Sequence, residues 1–234
     1  MSNAPVAAIV GIGPGNGESL VRKFHDEGYR VAMLTRSRET IEGYEKQFEN
    51  ARGLACDATD PESVAAAFGS IRENLGPVEV LIYNAGSGAW GRFDEISAEA
   101  FEASWRVNVL GLFHCAREVV ADMRDRGGGA IMVIGAGAAW RGRPGTIAFA
   151  QAKAAQRSTT QSLARQYGPE GIHVGYVVID GVVDMPRTRR SMSDKPDEFF
   201  LKPDDIALTV YHMVSQPRSA WSFEVDVRPW VEDW

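Results

Sequence analysis

The chain has 234 residues, of which 44% are hydrophobic and 24% are charged, proportions typical of a globular protein and not of a disordered one. Lysine and arginine number 25 against 31 aspartate and glutamate residues, which gives a net charge of −6 at pH 7. A mildly acidic chain lacks the basic surface of a nucleic-acid-binding protein, and the sequence contains no polybasic membrane patch. The length predicts a single domain that spans residues 1–234.

Membrane proteins, secreted disulfide-rich proteins and metalloproteins are also disfavoured. No stretch is typical of a signal peptide or a membrane-spanning helix. Cys56 and Cys115 are too few for a disulfide framework, so we expect a cytoplasmic protein. The histidines show no metal-ligand spacing, and we expect no metal; they are His25, His114, His173 and His212.

Apolar runs of strand length alternate with longer segments of helical spacing along the chain. The predicted strands are residues 6–10, 29–34, 53–56, 78–83, 130–134, 173–179 and 223–227. The predicted helices are residues 18–27, 40–48, 61–75, 98–126 (broken near its start), 149–167 and 204–215. Strands that are apolar on both faces and alternate with helices predict an α/β fold. We expect a doubly wound sheet of about seven mostly parallel strands, with helices on both faces.

A glycine-rich loop joins the first predicted strand to the first predicted helix. Glycines let the backbone approach a pyrophosphate, and the following helix directs its N–H groups at the anion. The position between a strand and a helix is the context that this motif requires. We therefore predict a Rossmann-like domain that binds a dinucleotide. The predicted contacts in the loop are Gly11, Gly13, Pro14, Gly15, Asn16 and Gly17.

The end of the second predicted strand bears on the choice of cofactor. An acidic side chain there would accept hydrogen bonds from the ribose hydroxyls of NAD, but this position holds Thr35. Arg36 follows, and a guanidinium pairs well with the 2′-phosphate of NADP. We therefore expect NADP(H) to be preferred, with NAD(H) as the alternative. A second interpretation is that Arg36 is a solvated arginine.

Asp57 follows the third predicted strand and has two interpretations. Its carboxylate could accept a hydrogen bond from the adenine amino group of the cofactor. It could equally cap the loop in which it lies. The residues alone leave both interpretations open.

Taken together, nearly the whole chain resembles a short-chain dehydrogenase/reductase. The segments that carry the resemblance are the glycine loop, Cys56-Asp57 at the family's adenine contact, Tyr83-Asn84-Ala85-Gly86 after the fourth strand, Asn108, and Lys153 of the Tyr-x-x-x-Lys motif. In the family, the Asn on the helix holds a water of the proton relay, and the Lys binds the ribose. The resemblance implies NAD(P)-dependent hydride transfer to or from a small carbonyl or alcohol substrate. It also implies that the cofactor contacts include Asn84, Ala85, Gly86, Lys153, Gly181 and Val183.

The sequence departs from the family at its catalytic positions. Phe149 stands where the family has its catalytic Tyr, and Ala136 stands where the family has its catalytic Ser. The Pro-Gly that follows the family's sixth strand is Asp180-Gly181 here, and Tyr83 replaces the first Asn of the family's segment. Phe149 has no exchangeable proton and Ala136 has no donor, so the usual source of the substrate's proton is missing.

Three interpretations of the missing donors remain. In the first interpretation, the protein is an NADP-dependent oxidoreductase that does not use the family's donors. The proton comes from Lys153 through an ordered water or from Asp180, or the substrate needs little acid help. Thr146 and Tyr83 are weaker candidates, because neither has a role in the family. The second interpretation is a cofactor-binding sensor or partner protein without turnover, and the third is an oligomer partner with a vestigial site.

The substrate pocket and the oligomeric contacts are expected at specific segments. The substrate loops are residues 87–93 and 136–144, and a mobile lid spans the polar, irregular residues 184–203. Trp140 either lines the pocket or covers an interface. Family members pair the helices that match residues 98–126 and 149–167, so the resemblance implies a homodimer or homotetramer. The aromatic C-terminal segment is expected at a second contact, and its large side chains are Trp221, Phe223, Trp230 and Trp234.

Overall fold

A central parallel sheet organises the computed structural model, which describes residues 4–232. The strands are β1 (Val6–Val10), β2 (Arg30–Thr35), β3 (Ala51–Ala55), β4 (Val80–Tyr83), β5 (Gly129–Ile134), β6 (Ile172–Ile179), β7 (Val182–Val183), β8 (Phe200–Leu201) and β9 (Glu224–Val227). Seven of them form one sheet in the order β3-β2-β1-β4-β5-β6-β9, and every neighbouring pair is parallel. The predicted doubly wound α/β fold is confirmed.

Helices cover both faces of this sheet. They are α1 (Asn16–Asp26), α2 (Arg38–Glu45), α3 (Pro61–Asn74), α4 (Ala98–Trp105), α5 (Gly111–Asp125), α6 (Ile147–Tyr167), α7 (Pro186–Ser191) and α8 (Pro203–Val214). Residues 98–126 were predicted as one helix broken near its start. The break is a π-helical segment, Arg106–Leu110, in which the N–H of Gly111 donates to the carbonyl of Arg106.

Two hydrophobic cores lie on opposite faces of the sheet, because successive side chains of each strand alternate between them. In β1, Ala8 and Val10 belong to one core, whereas Ala7 and Ile9 belong to the other. Helices α3 and α5 fill the first core, and helices α1 and α8 fill the second. Every strand of the central sheet except β3 and β9 is almost wholly buried, which explains the apolar runs in the sequence.

The strand order reverses at β1, whose neighbours are β2 and β4. Val10, the last residue of β1, lies beside Leu34 of β2 and Tyr83 of β4. The connections that leave these strands diverge to opposite sides of the sheet. A crevice therefore opens at their carboxyl ends, where open α/β sheets bind ligands.

The prediction of one long irregular stretch at residues 184–203 is wrong. Helix α7 begins with Pro186 at its first turn, and the hydroxyl of Thr188 donates to the carbonyl of Met185 at its start. Strand β8 pairs with β7, so the two ends of the stretch are joined. Asp184 accepts two hydrogen bonds from Arg189, at 2.7 Å each. Local capping and ion pairing thus order a segment whose composition is polar.

Large aromatic side chains outside the cores lie on α4 and α5, near the C-terminus, and at Trp90, Phe93 and Trp140. Phe101, Trp105 and Phe113 are partly exposed on α4 and α5. Near the C-terminus, Trp230 is 85% exposed, whereas Trp221 stacks on His173 with ring centroids 4.7 Å apart. Trp234, also expected at a subunit contact, lies outside the described residues.

Among residues 4–232, no helix is long and apolar enough to cross a membrane. Nor do these residues contain a group of three or more His, Cys, Asp or Glu side chains that could hold a metal ion.

Candidate cofactor and active site

The glycine loop closes tightly on its neighbours at two positions. Gly11 has φ +91°, and a Cβ there would lie 2.5 Å from the backbone N and Cα of Ala85. At Gly17, a Cβ would lie 2.7 Å from the Cα of Ile12, so glycine lets the start of α1 approach the loop that follows β1. A Cβ at Gly13, in contrast, would meet no atom within 4 Å. The loop is therefore packed against protein on one side and open on the other, as a cradle for a phosphate must be.

The first helix begins in this loop and offers free polar groups there. Gly15, with φ +92°, is the N-cap of α1 and supplies no side-chain cap. The Oδ1 atom of Asn16 is buried without a hydrogen-bond partner in the described structure. An uncapped helix start has N–H groups available for an anion, so this segment fits the pyrophosphate of a dinucleotide.

Asn84 fixes the glycine loop to the loop that follows β4. Its side-chain Nδ2 donates to the carbonyl of Gly11 at 2.6 Å, and its backbone N–H donates to the carbonyl of Val10 at 2.9 Å. The two loops at the switch point are thus held as one unit. Asn84 therefore has a structural role, because it joins these two loops.

A cavity of about 450 Å³ lies at the carboxyl ends of β1, β2, β3 and β4. It brings together six of the predicted cofactor residues, namely Gly11, Arg36, Asp57, Asn84, Ala85 and Gly86. The guanidinium-bearing residue Arg36 is exposed at its rim. The residues around this cavity therefore fit the nucleotide half of a dinucleotide.

Asp57 caps its own loop, as one of the two interpretations of the sequence expected. Its Oδ1 accepts from the backbone N–H of Thr59 at 2.9 Å and from the hydroxyl of Thr59 at 2.8 Å. Burial opposes ionisation, but these bonds and the positive charges of Arg36 and Arg106 hold the pKa of Asp57 below its usual value. The residue also lines the cavity, so capping and contact with a ligand are compatible.

Two further predicted cofactor residues, Gly181 and Val183, lie outside this cavity at the start of the lid. Val183 lies in the short strand β7, and a Cβ at Gly181 would lie 2.7 Å from the Cδ of Pro229. Met185 reaches the glycine loop, because a Cβ at Gly15 would lie 2.9 Å from its Cε. The start of the lid therefore contacts the glycine loop. Pro14 is exposed at the edge of the same loop.

Lys153 and Asn108 belong to one buried polar cluster. The Nζ of Lys153 donates to the carbonyl of Ile134 at 2.9 Å and to the Oε1 of Gln156 at 3.0 Å. The Nε2 of Gln156 donates to the carbonyl of Asn108 at 2.9 Å. Burial lowers the pKa of Lys153 from 10.5 to about 7. At neutral pH, this ammonium is therefore poised between its charged and neutral forms.

Phe149 lies one helical turn before Lys153, on the same face of α6. The Nζ of Lys153 is 5.8 Å from the centroid of the Phe149 ring. The ring of Trp90, itself 58% exposed, lies 5.4 Å from that of Phe149. An aromatic wall thus stands where the resemblance places a proton donor, next to a lysine.

Ala136 adjoins an ion-paired cluster that involves Asp180. Ala136 precedes the short turn Gly137–Ala139, and a Cβ at Gly137 would collide with the carboxylate of Asp180. Both oxygens of Asp180 accept from Arg141, at 2.8 and 2.9 Å, and Arg228 lies 3.4 Å away. With both oxygens engaged by guanidinium groups, Asp180 is a poor candidate for a proton donor.

The two weaker donor candidates are also engaged elsewhere. The hydroxyl of Tyr83 donates to the carbonyl of Val107, and burial raises the pKa of Tyr83 well above its usual range. The hydroxyl of Thr146 donates to the carbonyl of Arg143 at 2.8 Å. Of the proton sources considered from the sequence, Lys153 is the one beside Phe149.

Sequence reasoning missed two polar residues of this region. Gln156 is fully buried three positions after Lys153, and that spacing on one helix face was an available signal. Arg141 pairs with Asp180 across 39 positions, so no local pattern could reveal the contact. The sequence departs from the family at Asp180, but it gives no signal for the partner of this residue.

The fold and the crevice define a class of protein, the nucleotide-binding α/β domains. Within that class, the model of the short chain dehydrogenase family matches residues 5–196. The chain therefore belongs to the short-chain dehydrogenase/reductase family of oxidoreductases, and the resemblance seen in the sequence is confirmed.

Individual relatives agree with this assignment. The 2-(R)-hydroxypropyl-CoM dehydrogenase of Xanthobacter autotrophicus is 31% identical over 200 residues, which cover 82% of this chain and 79% of that one. A short-chain dehydrogenase from Rhodopseudomonas palustris is 30% identical, with a TM-score of 0.83 over 98% of this chain and 100% of the other. An alcohol dehydrogenase from Thermococcus sibiricus, complexed with 5-hydroxy-NADP, is 25% identical, with a TM-score of 0.88 over 99% of each chain.

Proposed function

We propose that this protein is an NADP(H)-dependent oxidoreductase in which Lys153 exchanges the substrate's proton. The reaction is hydride transfer to the carbon of a small carbonyl compound, with proton transfer to its oxygen, or the reverse oxidation of the alcohol. The observation that carries the proposal is the position of Lys153, whose buried Nζ lies 5.8 Å from the ring of Phe149.

The nucleotide half of the site supports a dinucleotide with a 2′-phosphate. The glycine loop and the start of α1 would hold the pyrophosphate, Asp57 would accept from the adenine, and Arg36 would pair with the 2′-phosphate. The Thermococcus relative is complexed with an NADP derivative, which is consistent with this choice. When bound, the cofactor supplies or accepts the hydride.

The proton then has to come from the protein or from the solvent. Phe149 and Ala136 have no proton to give, and Asp180 has both oxygens engaged by Arg141. Lys153 has three N–H bonds, two of which are used inside the protein, so one remains for a ligand or an ordered water. With its pKa at about 7, Lys153 can both donate and accept a proton near neutral pH.

The substrate pocket is bounded by aromatic and basic side chains. Trp90 and Phe149 form one wall, and Trp140 and Arg141 lie in the loop of residues 136–144. A second hollow of about 550 Å³ lies between residues 91–94 and 143–147. These dimensions suit a small molecule.

The partly exposed aromatic residues on α4 and α5 support a homodimer or homotetramer built on these helices. Phe101 and Trp105 lie one turn apart on α4, and Phe113 lies about two turns further along the same helical stretch. An apolar patch on a folded chain is stabilised when a second copy covers it. Light scattering at micromolar concentration tests this, and a particle of 25.6 kDa would contradict it.

The proposed function is tested by cofactor titration followed by a substrate screen. NADPH and NADH are titrated against the protein by fluorescence, and we expect NADPH to bind more tightly. A panel of ketones and aldehydes is then screened by the loss of NADPH absorbance, with Lys153→Met and the exposed Lys46→Met as matched variants. We expect turnover that is lost in Lys153→Met and kept in Lys46→Met. Tight NADPH binding with no turnover on any substrate would favour the cofactor-binding sensor instead.

A further inference from the structure

Gln156 occupies a position that gives it a role in the proposed reaction, on which this inference rests. It lies three residues after Lys153 and seven after Phe149, on the inward face of α6. Its side chain is fully buried, although glutamine normally lies at the surface. A buried amide requires partners for both its donor and its acceptor atoms.

Gln156 bridges Lys153 and the π-helical segment. Its Oε1 accepts from the Nζ of Lys153 at 3.0 Å, and its Nε2 donates to the carbonyl of Asn108 at 2.9 Å. The chemistry fixes this orientation, because a flipped amide would set its NH₂ against an ammonium and its oxygen against a carbonyl. The resemblance in the sequence implied a water on Asn108, but the carbonyl of this residue accepts from a side chain.

The bridge also determines how the Nζ of Lys153 is oriented. With two of its N–H bonds directed to Ile134 and Gln156, tetrahedral geometry fixes the third. A Cβ placed on Gly86 would lie 3.7 Å from this Nζ and 3.4 Å from the Oδ1 of Asn108. That Oδ1 is fully buried and has no partner in the described structure. A donor and an acceptor therefore converge beside Gly86, which also lines the cofactor cavity.

We propose that Gln156 is a positioning residue. It holds the Nζ of Lys153 toward the cofactor cavity and sets the proton affinity of this Nζ. An amide side chain does not relay protons as a water does. The proton of Lys153 therefore exchanges through the cavity and not through the carbonyl of Asn108.

Among the groups around Lys153, Gln156 is the side chain that accepts a hydrogen bond from its Nζ, so a substitution at position 156 tests this contact. Strand β5 contributes the neutral carbonyl of Ile134, and the π segment contributes the neutral Asn108. Strand β6 contributes Tyr176, whose hydroxyl donates to the backbone carbonyl of Lys153 at 3.2 Å. Burial raises the pKa of Tyr176 above its usual range, so this group stays neutral.

The test measures the titration of Lys153 directly in the protein without cofactor. Lysine residues are labelled with ¹³C at Cε, and the signal of Lys153 is assigned by its loss in Lys153→Arg. We expect Gln156→Glu to raise the midpoint of Lys153 by about one pH unit or more, because an anionic partner favours the ammonium. We expect Gln156→Met, which removes the acceptor, to lower it. The matched control is Gln166→Glu, which adds the same charge at the exposed end of α6 and leaves the midpoint unchanged.

Circular dichroism selects the folded variants, and either of the two substitutions at position 156 suffices for the test. A Lys153 midpoint in a folded variant that equals the wild-type midpoint overturns the proposal. We also expect Gln156→Met to weaken NADPH binding about tenfold, as the loss of one oriented hydrogen bond would. A wild type that shows no turnover refutes the proposed reaction, whereas the lysine midpoints still decide the role of Gln156.

Discussion

Two halves of the candidate site differ in how closely they match the residues expected from the family resemblance. One half faces the nucleotide cavity, and the other surrounds residues 136, 149 and 180. The first half has its glycine loop, Asn84 and Asp57 in one crevice. In the second half, Phe149 and Ala136 carry no hydroxyl, and Arg141 pairs with Asp180. The comparison indicates that residues suited to binding a cofactor can occur in one half of a site while the other half lacks the hydroxyl donors expected from the resemblance. A matching glycine loop therefore does not by itself establish the usual chemistry.

The largest expected effect separates two glycines of the same loop. Gly11→Ala places a Cβ 2.5 Å from the backbone of Ala85 at a positive φ, and we expect it to destabilise the protein by about 3 kcal/mol. Gly13→Ala meets no atom of the protein within 4 Å, so its free energy of unfolding should change by less than about 1 kcal/mol. Urea denaturation measures both.

Gly13→Ala also tests whether the glycine loop binds the pyrophosphate of the cofactor. If the open side of Gly13 receives the pyrophosphate, Gly13→Ala stays folded but binds NADPH more weakly. Calorimetry that shows wild-type affinity in Gly13→Ala would place the cofactor elsewhere.

The second effect concerns the 2′-phosphate. Arg36→Ala should weaken NADPH binding by about 1.5–3 kcal/mol, or roughly ten- to a hundredfold, because a charge-assisted pair is lost. NADH lacks the phosphate, so its binding should change little. Arg38→Ala, an exposed arginine two residues further on, is the control and should leave both affinities unchanged. Equal losses for both cofactors in Arg36→Ala would show that Arg36 stabilises the loop instead.

The third effect restores the missing donors. Phe149→Tyr together with Ala136→Ser adds two hydroxyls at little packing cost, under about 1.5 kcal/mol for near-isosteric changes. We expect the double variant to reduce small ketones or aldehydes at least about tenfold faster than the wild type, measured by the loss of NADPH. A double variant slower than an active wild type would show that the native chemistry uses a different donor.

The smallest effect concerns the lid, residues 184–203. Arg189 first and Lys202 next hold the pKa of Asp184 at about 2, well below its ordinary 3.8. The stabilisation from this carboxylate is present above its unfolded pKa and is lost as the pH falls through about 2. Asp184→Asn should cost about 1 kcal/mol or less and should speed hydrogen exchange in the lid.

Hydrogen exchange also tests the predicted mobility of the lid. If the segment closes on the ligand, the addition of NADPH should slow exchange through residues 184–203. Exchange that is already slow without ligand and unchanged with it would show a fixed loop.

The fold could be predicted largely from the sequence, because buried parallel strands leave long apolar runs. Val6–Val10 and Ile172–Ile179, both wholly buried, were each predicted to within one residue. The ordered lid was missed, because its order depends on the bonds of Asp184 to Arg189 and on the pairing of two-residue strands. Neither feature leaves a periodic signal.

The candidate site was predicted less completely. The family register located Lys153, Asn108, Phe149 and Ala136 by spacing alone. The bridge through Gln156 and the pair of Arg141 with Asp180 depend on contacts between distant segments, so spacing could not reveal them. The sequence predicts which donors are missing, and the structure shows which polar groups lie near Phe149 and Ala136.

The central claim is that Lys153 exchanges the substrate's proton, and the pH dependence of turnover tests it most directly. Burial lowers the pKa of Lys153 to about 7, so this group is protonated below that pH and neutral above it. We predict that NADPH-dependent reduction falls about tenfold per unit above pH 7, and that oxidation of the corresponding alcohol by NADP⁺ rises over the same range. Lys153→Arg, which keeps the charge but does not release a proton, should lose both activities. Reduction that stays constant from about pH 6 to 9, or a fully active Lys153→Arg variant, would contradict the claim.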